Sequence, residues 1–342
     1  MMEDWIASWE GLGFPKLKEA SLQKIETTGK KLLVEAGVEE EEAALEVRLL
    51  LQESFSLNTA GYLLKKQEPL CKALGGKTEI VDKGQKGISG GKKAETADGE
   101  QAEILKKLQG FFETFEKRRR RIPLAQILGR QSFYGLDFFV NEDVLIPRAD
   151  TECLVDLVLE DYADLAKQAG SSSLNILDLC TGSGCIGISV AKHLPYQELL
   201  LLDLSEKALA VAKKNAEKHL GGNVRLLQSD LLTEVQEKRF SLLLSNPPYI
   251  VSKVIPDLER EVSEYEPKMA LDGGEDGLVF YRRIAKEAKA VLLPGARLYL
   301  EIGYDQGESV KDIFQKEGYE AVEVFPDLAG NPRVLRGIFP GK

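Results

Sequence analysis

Nothing in this chain of 342 residues approaches the run of ~20 apolar residues that a membrane helix needs, so no membrane partner is expected. The opening Met1-Met2-Glu3-Asp4-Trp5 is acidic and lacks the pattern of a signal or transit peptide. Cysteine is scarce: four residues at irregular spacing do not make a disulfide framework. Cys153, Cys180 and Cys185 also lack zinc-ligand spacing, so no metal is expected. The two histidines, His193 and His219, both fall at expected helix ends, where solvated or capping roles suit them better than catalysis. The expected setting is the reducing cytoplasm.

Positive charge is in deficit, but unevenly. The net charge is −10, yet residues 1–122 carry 21 Lys and Arg against 21 Asp and Glu, leaving 24 against 34 for the remainder. Proteins that grip a phosphate backbone usually present a basic surface, so no direct nucleic-acid contact is expected. The run Lys117-Arg118-Arg119-Arg120-Arg121 is the exception, although cations at a helix C-terminus also suit its dipole.

What is present divides the chain in two. Residues 1–121 read as a small helical domain. Leu22, Ile25, Leu32 and Leu33 recur at helical spacing, as do Ala43, Val47, Leu50, Leu51 and Phe55, and then Ile104, Leu105, Leu108, Phe111, Phe112 and Phe115. Asn58-Thr59 caps a short helix to about Lys66. The stretch 75–99, with seven glycines, many lysines and no aromatic residue, is expected to be a flexible insertion.

Residues 122–145 form a linker in which Phe133 to Val140, with Gly135 midway, reads as a β-hairpin. Over 146–342 a helix spans about Thr151 to Gln168, and apolar strands then alternate with amphipathic helices. The strands are 174–180, 198–204, 224–230, 240–245 and 297–303; the helices are 184–193, 205–220, 275–292 and 306–318. Such alternation implies right-handed βαβ units and a parallel, doubly wound α/β sheet. Two further β-like runs, near 320–325 and 334–339, close the chain.

Ligands of such sheets bind beyond the carboxyl ends of the strands. Three turns lie there. The first, Asp178-Leu179-Cys180-Thr181-Gly182-Ser183-Gly184, is small enough for close backbone approach, whether to a ligand or merely for helix–strand packing. The second ends in Asp203, 25 residues after Asp178, where a carboxylate can accept ribose hydroxyls or cap a helix. The third, Ser229-Asp230-Leu231, offers Asp230 to an adenine amino group and Leu231 to its ring. In sequential register the three point to an adenosine-containing cofactor.

The fourth strand ends in Ser245-Asn246-Pro247-Pro248-Tyr249. A Pro-Pro turn is by itself a common loop marker, but this one sits at the cofactor end of the sheet. An amide nitrogen is a poor nucleophile because its lone pair is delocalised into the carbonyl. The Asn246 side-chain oxygen and the Pro247 carbonyl can each accept one N–H of an –NH₂ group, which localises density on nitrogen. The prolines hold that carbonyl rigidly and remove competing donors. Tyr249 offers a flat face to a planar substrate.

In these residues the chain resembles the HemK/PrmC family of protein-(glutamine-N5) methyltransferases. The matching segments are Pro123 to Gly129, Phe133-Tyr134-Gly135-Leu136, Leu145-Ile146-Pro147-Arg148 with Asp150-Thr151-Glu152, and 178–184. They continue with Asp203, 245–249 and Gly273-Gly274-Glu275-Asp276-Gly277-Leu278, so that the match spans about 122–340. The resemblance implies a class I S-adenosylmethionine methyltransferase fold (Rossmann-like), with a small N-terminal helical domain that docks the substrate. It implies methyl transfer to the glutamine of a Gly-Gly-Gln loop in class I peptide chain release factors. By motif, Cys180, Thr181, Gly182, Ser183, Gly184, Asp203, Asp230, Leu231 and Asn246 would line the cofactor. Asn246, Pro247, Pro248 and Tyr249 would hold the glutamine, with Arg148, Thr151 and Glu152 near the mouth.

The family usually has glycine where this chain has Cys180; if that position needs positive φ, the cysteine costs on the order of 1 kcal/mol. Two neighbouring activities use the same motif: amino-methylation of adenine in nucleic acid, against which the charge argues, and methylation of a ribosomal-protein glutamine. A non-catalytic binding protein on the same fold is opposed by the intact Asp203, Asn246 and Tyr249.

Overall fold

The computed structural model describes residues 20–74, 92–169, 174–221, 224–235 and 239–341. The chain divides into two units, Met1–Leu128 and Gly129–Lys342. Among the described residues, no helix is long and apolar enough to cross a membrane.

The first unit is helical: α1 (Leu22–Glu35), α2 (Glu40–Phe55), α3 (Thr59–Lys65), the single turn α4 (Leu70–Ala73), α5 (Lys92–Arg119) and α6 (Leu124–Leu128). Its caps are legible in the sequence. Ser21 accepts from Lys24 N at the start of α1, and Asn58 accepts from Gly61 N at 2.7 Å to begin α3; such caps are each worth about 1 kcal/mol. The apolar stripe of α2 is buried with Leu108, Phe111 and Phe115 of α5. Gly29 lets α1 approach both, since a Cβ there would lie 2.9 Å from Val47 and 3.2 Å from Phe115.

The flexible insertion expected over 75–99 lies outside the described residues for 75–91. Residues 92–99 instead form the start of α5. The Lys, Ala and Glu there are good helix formers, and they extend a helix whose later turns are anchored in the core. The basic run at its other end is largely engaged within the unit. Arg118, only 3% exposed, meets Glu46 at 2.7 Å, Arg119 pairs with Glu116, and Arg121 donates to the Gly37 carbonyl.

The second unit opens with a hairpin, β1 (Arg130–Phe133) and β2 (Leu136–Phe139), starting three residues earlier than its apolar pattern announces. Tyr134 and Gly135 both have positive φ (49° and 71°), the two-residue turn whose twist matches antiparallel strands. Next come α7 (Glu152–Ala169), β3 (Leu174–Leu179), α8 (Cys185–His193), β4 (Tyr196–Asp203), α9 (Glu206–Leu220), β5 (Arg225–Gln228) and β6 (Phe240–Ser245). After a short helix, α10 (Arg260–Tyr265), follow α11 (Val279–Glu287), β7 (Leu292–Glu301), α12 (Gly307–Lys316), β8 (Glu320–Pro326) and β9 (Pro332–Phe339).

The sheet runs β5-β4-β3-β6-β7-β9-β8. Its first five strands are parallel, while β9 is antiparallel to both β7 and β8. The five strands expected to be parallel are so, and the two closing runs, for which no direction was expected, make the sheet mixed. Parallel neighbours need a crossover of a dozen residues or more, and the link from Pro326 to Pro332 is too short for one. Both faces are covered. Tyr281, Ile284 and Phe314 pack with Leu177, Leu200 and Leu298 on one side; Val155, Ile188 and Ala212 pack with Ile176, Leu201 and Leu242 on the other. Burial on both faces is why β4 reads as an unbroken leucine run.

Strand order reverses between β3 and β6, and the carboxyl ends of β3, β4 and β6 deliver Cys180, Asp203 and Asn246 to one crevice.

Candidate active site

The crevice is lined by Cys180 to Ser183 after β3, Asp203 and Leu204 after β4, Asp230 and Leu231 after β5, and Asn246 and Pro248 after β6. Arg148, Thr151, Met269 and Phe280 complete its walls. Gly184, Pro247 and Tyr249 stand behind this lining: Gly184 caps α8 with φ 82°, and Pro247 is buried.

The turn after β3 is held from below. Asp178, 1% exposed, accepts from Thr181 Oγ1 at 2.6 Å and from Gly187 N at 2.9 Å through the same oxygen. Burial pushes its carboxyl up to about 7 despite those bonds. The backbone rises into left-handed conformations at Cys180 (φ 58°) and Gly182 (φ 54°). Cys180 thus occupies a position that glycine fits at lower cost, by about 1 kcal/mol. Replacing it by alanine removes the thiol and keeps the strain, whereas glycine removes both. Cys180→Gly is therefore expected to be more stable than Cys180→Ala by about 1 kcal/mol in denaturant unfolding. An alanine variant of equal or greater stability would dismiss the strain.

Asp203 organises the next wall. Its Oδ2 accepts from Gly182 N and its Oδ1 from Ser205 N, both at 2.9 Å, so one side chain fixes the turns after β3 and β4 together. Burial raises its pKa, opposed by the backbone N–H groups of Ser205 and Gly182. Each oxygen keeps a lone pair for a further donor. Leu231 takes a positive φ of 50°, with its carbonyl held by Ser229 Oγ at 2.6 Å. The Asp230 carboxylate, expected to face an adenine amino group, is paired with Arg283 of α11 at 2.7 Å.

The segment after β6 is built into the fold at both ends, with its acceptors left free between them. Ser245 Oγ anchors it to the Leu179 carbonyl at 2.7 Å. The Tyr249 carbonyl accepts from Gln306 Nε2 at 2.9 Å, and Gln306 also binds Gly277 O and Gly303 N. The glycines of 273–278 explain themselves here: a Cβ at Gly273 would lie 2.7 Å from Tyr249 Cα, and one at Gly277 would collide with the Tyr249 carbonyl. These turns delay α11 to Val279, four residues beyond its expected start. By contrast, neither the Asn246 amide nor the Pro247 carbonyl hydrogen-bonds to another described residue, and Asn246 lines the crevice.

Two mouth residues separate. Arg148 lines the crevice and grips both oxygens of Glu266 at 2.8 Å, where the carboxylate is 1% exposed. Glu152 does not face the crevice: its Oε1 accepts from Tyr134 N at 2.7 Å and closes the hairpin turn. Its place beside Arg148 in the sequence is misleading, because it is the first residue of α7 and turns toward the hairpin.

Sequence reasoning missed Glu301, the last residue of β7. It is 2% exposed, accepts from Thr151 Oγ1 at 2.5 Å and from Tyr249 Oη at 3.2 Å, and its carbonyl takes Tyr281 Oη at 2.9 Å. The available signal was an acid ending an apolar strand at the ligand end of the sheet. Phe280, Met269 and Gln306 carried no such signal. Among the described residues, no group of acids, His and Cys is placed to hold a metal ion.

The Methyltransferase small domain family matches residues 162–300. A release factor glutamine methyltransferase of Clostridium acetobutylicum is 41% identical over 237 residues, covering 68% of this chain and 81% of the relative. One from Thermodesulfovibrio yellowstonii is 40% identical over 236 residues, 69% of this chain and 81% of that protein. The solved release factor-specific protein-(glutamine-N5) methyltransferase of Alicyclobacillus acidocaldarius is 30% identical, covering 59% of this chain and all but 1% of that one (99%), with a TM-score of 0.34.

Proposed function

This chain belongs to the release factor glutamine methyltransferase family, and from that premise we propose that its crevice methylates N5 of the glutamine in the Gly-Gly-Gln loop of class I peptide chain release factors. The reaction is S-adenosylmethionine-dependent protein-glutamine methylation. The observation that carries the substrate reading is the unengaged Asn246 amide on the wall of a crevice suited to an adenosine, followed directly by the equally unengaged Pro247 carbonyl.

The crevice fits the cofactor on its own chemistry. Asp203 holds two backbone N–H groups and keeps lone pairs for a ribose diol, while Leu204, Leu231 and Phe280 supply apolar walls for a purine. Cys180 to Gly184, Asp203, Asp230 and Leu231 are the residues that would hold it. When bound, S-adenosylmethionine supplies a methyl group already activated on a cationic sulfur.

The protein's own contribution is positioning and electrostatics. Asn246 Oδ1 and Pro247 O each accept one N–H of the incoming amide, fixing its plane and restoring density to its nitrogen. Tyr249 presents its ring to that plane, and Pro248 keeps the turn rigid. No strong base is required before transfer, because the nitrogen sheds its proton afterwards. Arg148, through Glu266, orders the wall around Pro267 and Met269 that the substrate loop would pass.

The test is methyl transfer from labelled S-adenosylmethionine to a purified class I release factor, beside a copy with its Gly-Gly-Gln glutamine replaced and beside duplex and single-stranded DNA. Label on the intact factor alone is expected. Label on the replaced copy or on DNA would overturn the substrate.

A further inference from the structure

The Glu301 carboxylate is bonded from two directions by hydroxyls of the active-site region, and the reaction described above assigns it no part. Thr151, a residue of the crevice wall, donates to Oε2, and Tyr249, the last residue of the Asn-Pro-Pro-Tyr segment, donates to Oε1. The two donors come from separate parts of the second unit's chain: Thr151 from the turn before α7 and Tyr249 from the loop after β6. Glu301 itself is fixed by β7, whose backbone pairs on one side with β6, next to the residues leading into Asn246, and on the other with β9. Tyr281 clamps the Glu301 carbonyl from α11.

We infer that Glu301 is a positioning residue for the methyl-acceptor half of the site, setting the Tyr249 ring and the Thr151 wall in register so that the substrate amide meets both acceptors squarely. This rests on the glutamine-methylation reading above. Burying a carboxylate is costly, and burial indeed raises the Glu301 pKa against the pull of Thr151, Arg333 and Tyr249. An apolar residue of similar volume would serve mere packing at least as well. What a carboxylate adds is two acceptors on a rigid strand, here used for two hydroxyls that belong to separate loops. Asp203, by contrast, is bound by backbone groups only, and Glu301 hydrogen-bonds to none of the turns that would hold the cofactor.

The experiment is a set of variants in the full chain: Glu301→Gln, Tyr249→Phe, Thr151→Val and the Thr151→Val/Tyr249→Phe double. Each is assayed for kcat and KM with a release factor and, separately, for S-adenosylmethionine affinity by calorimetry. Glu301→Gln keeps the volume but can accept at only one of the two positions. The expected result is a loss of about tenfold or more in kcat/KM for the release factor, with S-adenosylmethionine affinity changed less than about twofold. Tyr249→Phe and Thr151→Val each lower kcat/KM. Their double variant falls less than the product of the single losses, because both hydroxyls report to one carboxylate.

The inference is overturned if Glu301→Gln turns over normally, if cofactor affinity falls in parallel with activity, or if the Thr151 and Tyr249 losses multiply. Should Glu301→Gln fail to fold, the Thr151/Tyr249 cycle decides alone. A parent enzyme that leaves the release factor unlabelled would instead refute the substrate reading, which the parent control separates from the variant results.

Discussion

Asn246→Ala is expected to lose methyl transfer to a release factor by about a hundred- to a thousandfold in kcat, the scale on which removing one preorganised polar contact to a transition state acts. S-Adenosylmethionine affinity, measured by calorimetry, is expected to stay within about threefold. The argument is specific to this side chain. Asn246 hydrogen-bonds to no other described residue, so its truncation leaves no donor or acceptor of the fold unpaired. Its backbone is kept in place by neighbours, through Ser245 to Leu179 and through Tyr249 to Gln306. The loss therefore reads as transition-state stabilisation, with little change in KM for the protein substrate. A variant that methylates at the parent rate would dismiss the two-acceptor account of amide activation. Lost folding, seen as a collapsed thermal transition, would contradict the independence claimed for this residue.

Asp203→Asn should act on the other half of the site. The carboxylate accepts from Gly182 N and Ser205 N and offers its remaining lone pairs outward. An amide accepts at one oxygen only and sets an –NH₂ against a backbone donor at the other. Hydrogen bonds to charged groups are worth about 1.5–3 kcal/mol each. The expected weakening of S-adenosylmethionine binding is thus about a hundredfold, with kcat at saturating cofactor close to that of the parent. Equilibrium binding measures the first and initial rates at raised cofactor the second. Parent-like affinity would remove Asp203 from the cofactor wall; a lowered kcat at saturation would place it in the methyl-transfer step instead.

These two residues were also the most legible in the sequence, for the same physical reason. Each ends an apolar strand, and the crevice of a doubly wound sheet lies at strand ends, so position along the chain predicts position in space. The strands of the sheet were readable because both faces are buried and leucine runs announce them. The direction of β9 was not, since period and hydropathy carry no polarity; only the brevity of the link from Pro326 to Pro332 sets it. Glu152 misled because neighbours in sequence at a helix start point to different places: Arg148 lines the crevice and Glu152 closes the hairpin. Glu301, Gln306 and Arg283 act through partners 52, 57 and 53 residues distant, separations that no local pattern encodes. Cys180 shows the reverse case. The family resemblance pointed to a usual glycine at that position, and the backbone there does take positive φ.

Asn215 of α9, fully buried, joins two parts of the second unit: its Nδ2 donates to Ser183 O and Phe139 O, while its Oδ1 accepts from Phe139 N. The hairpin strand and the turn after β3 consequently share one amide. Opening either by local unfolding strands polar groups of the other, so the two are expected to open as a single cooperative unit in hydrogen exchange. A molecule that grips the turn is therefore expected to slow exchange at Phe139, which would make the hairpin a remote gauge of occupancy in the crevice.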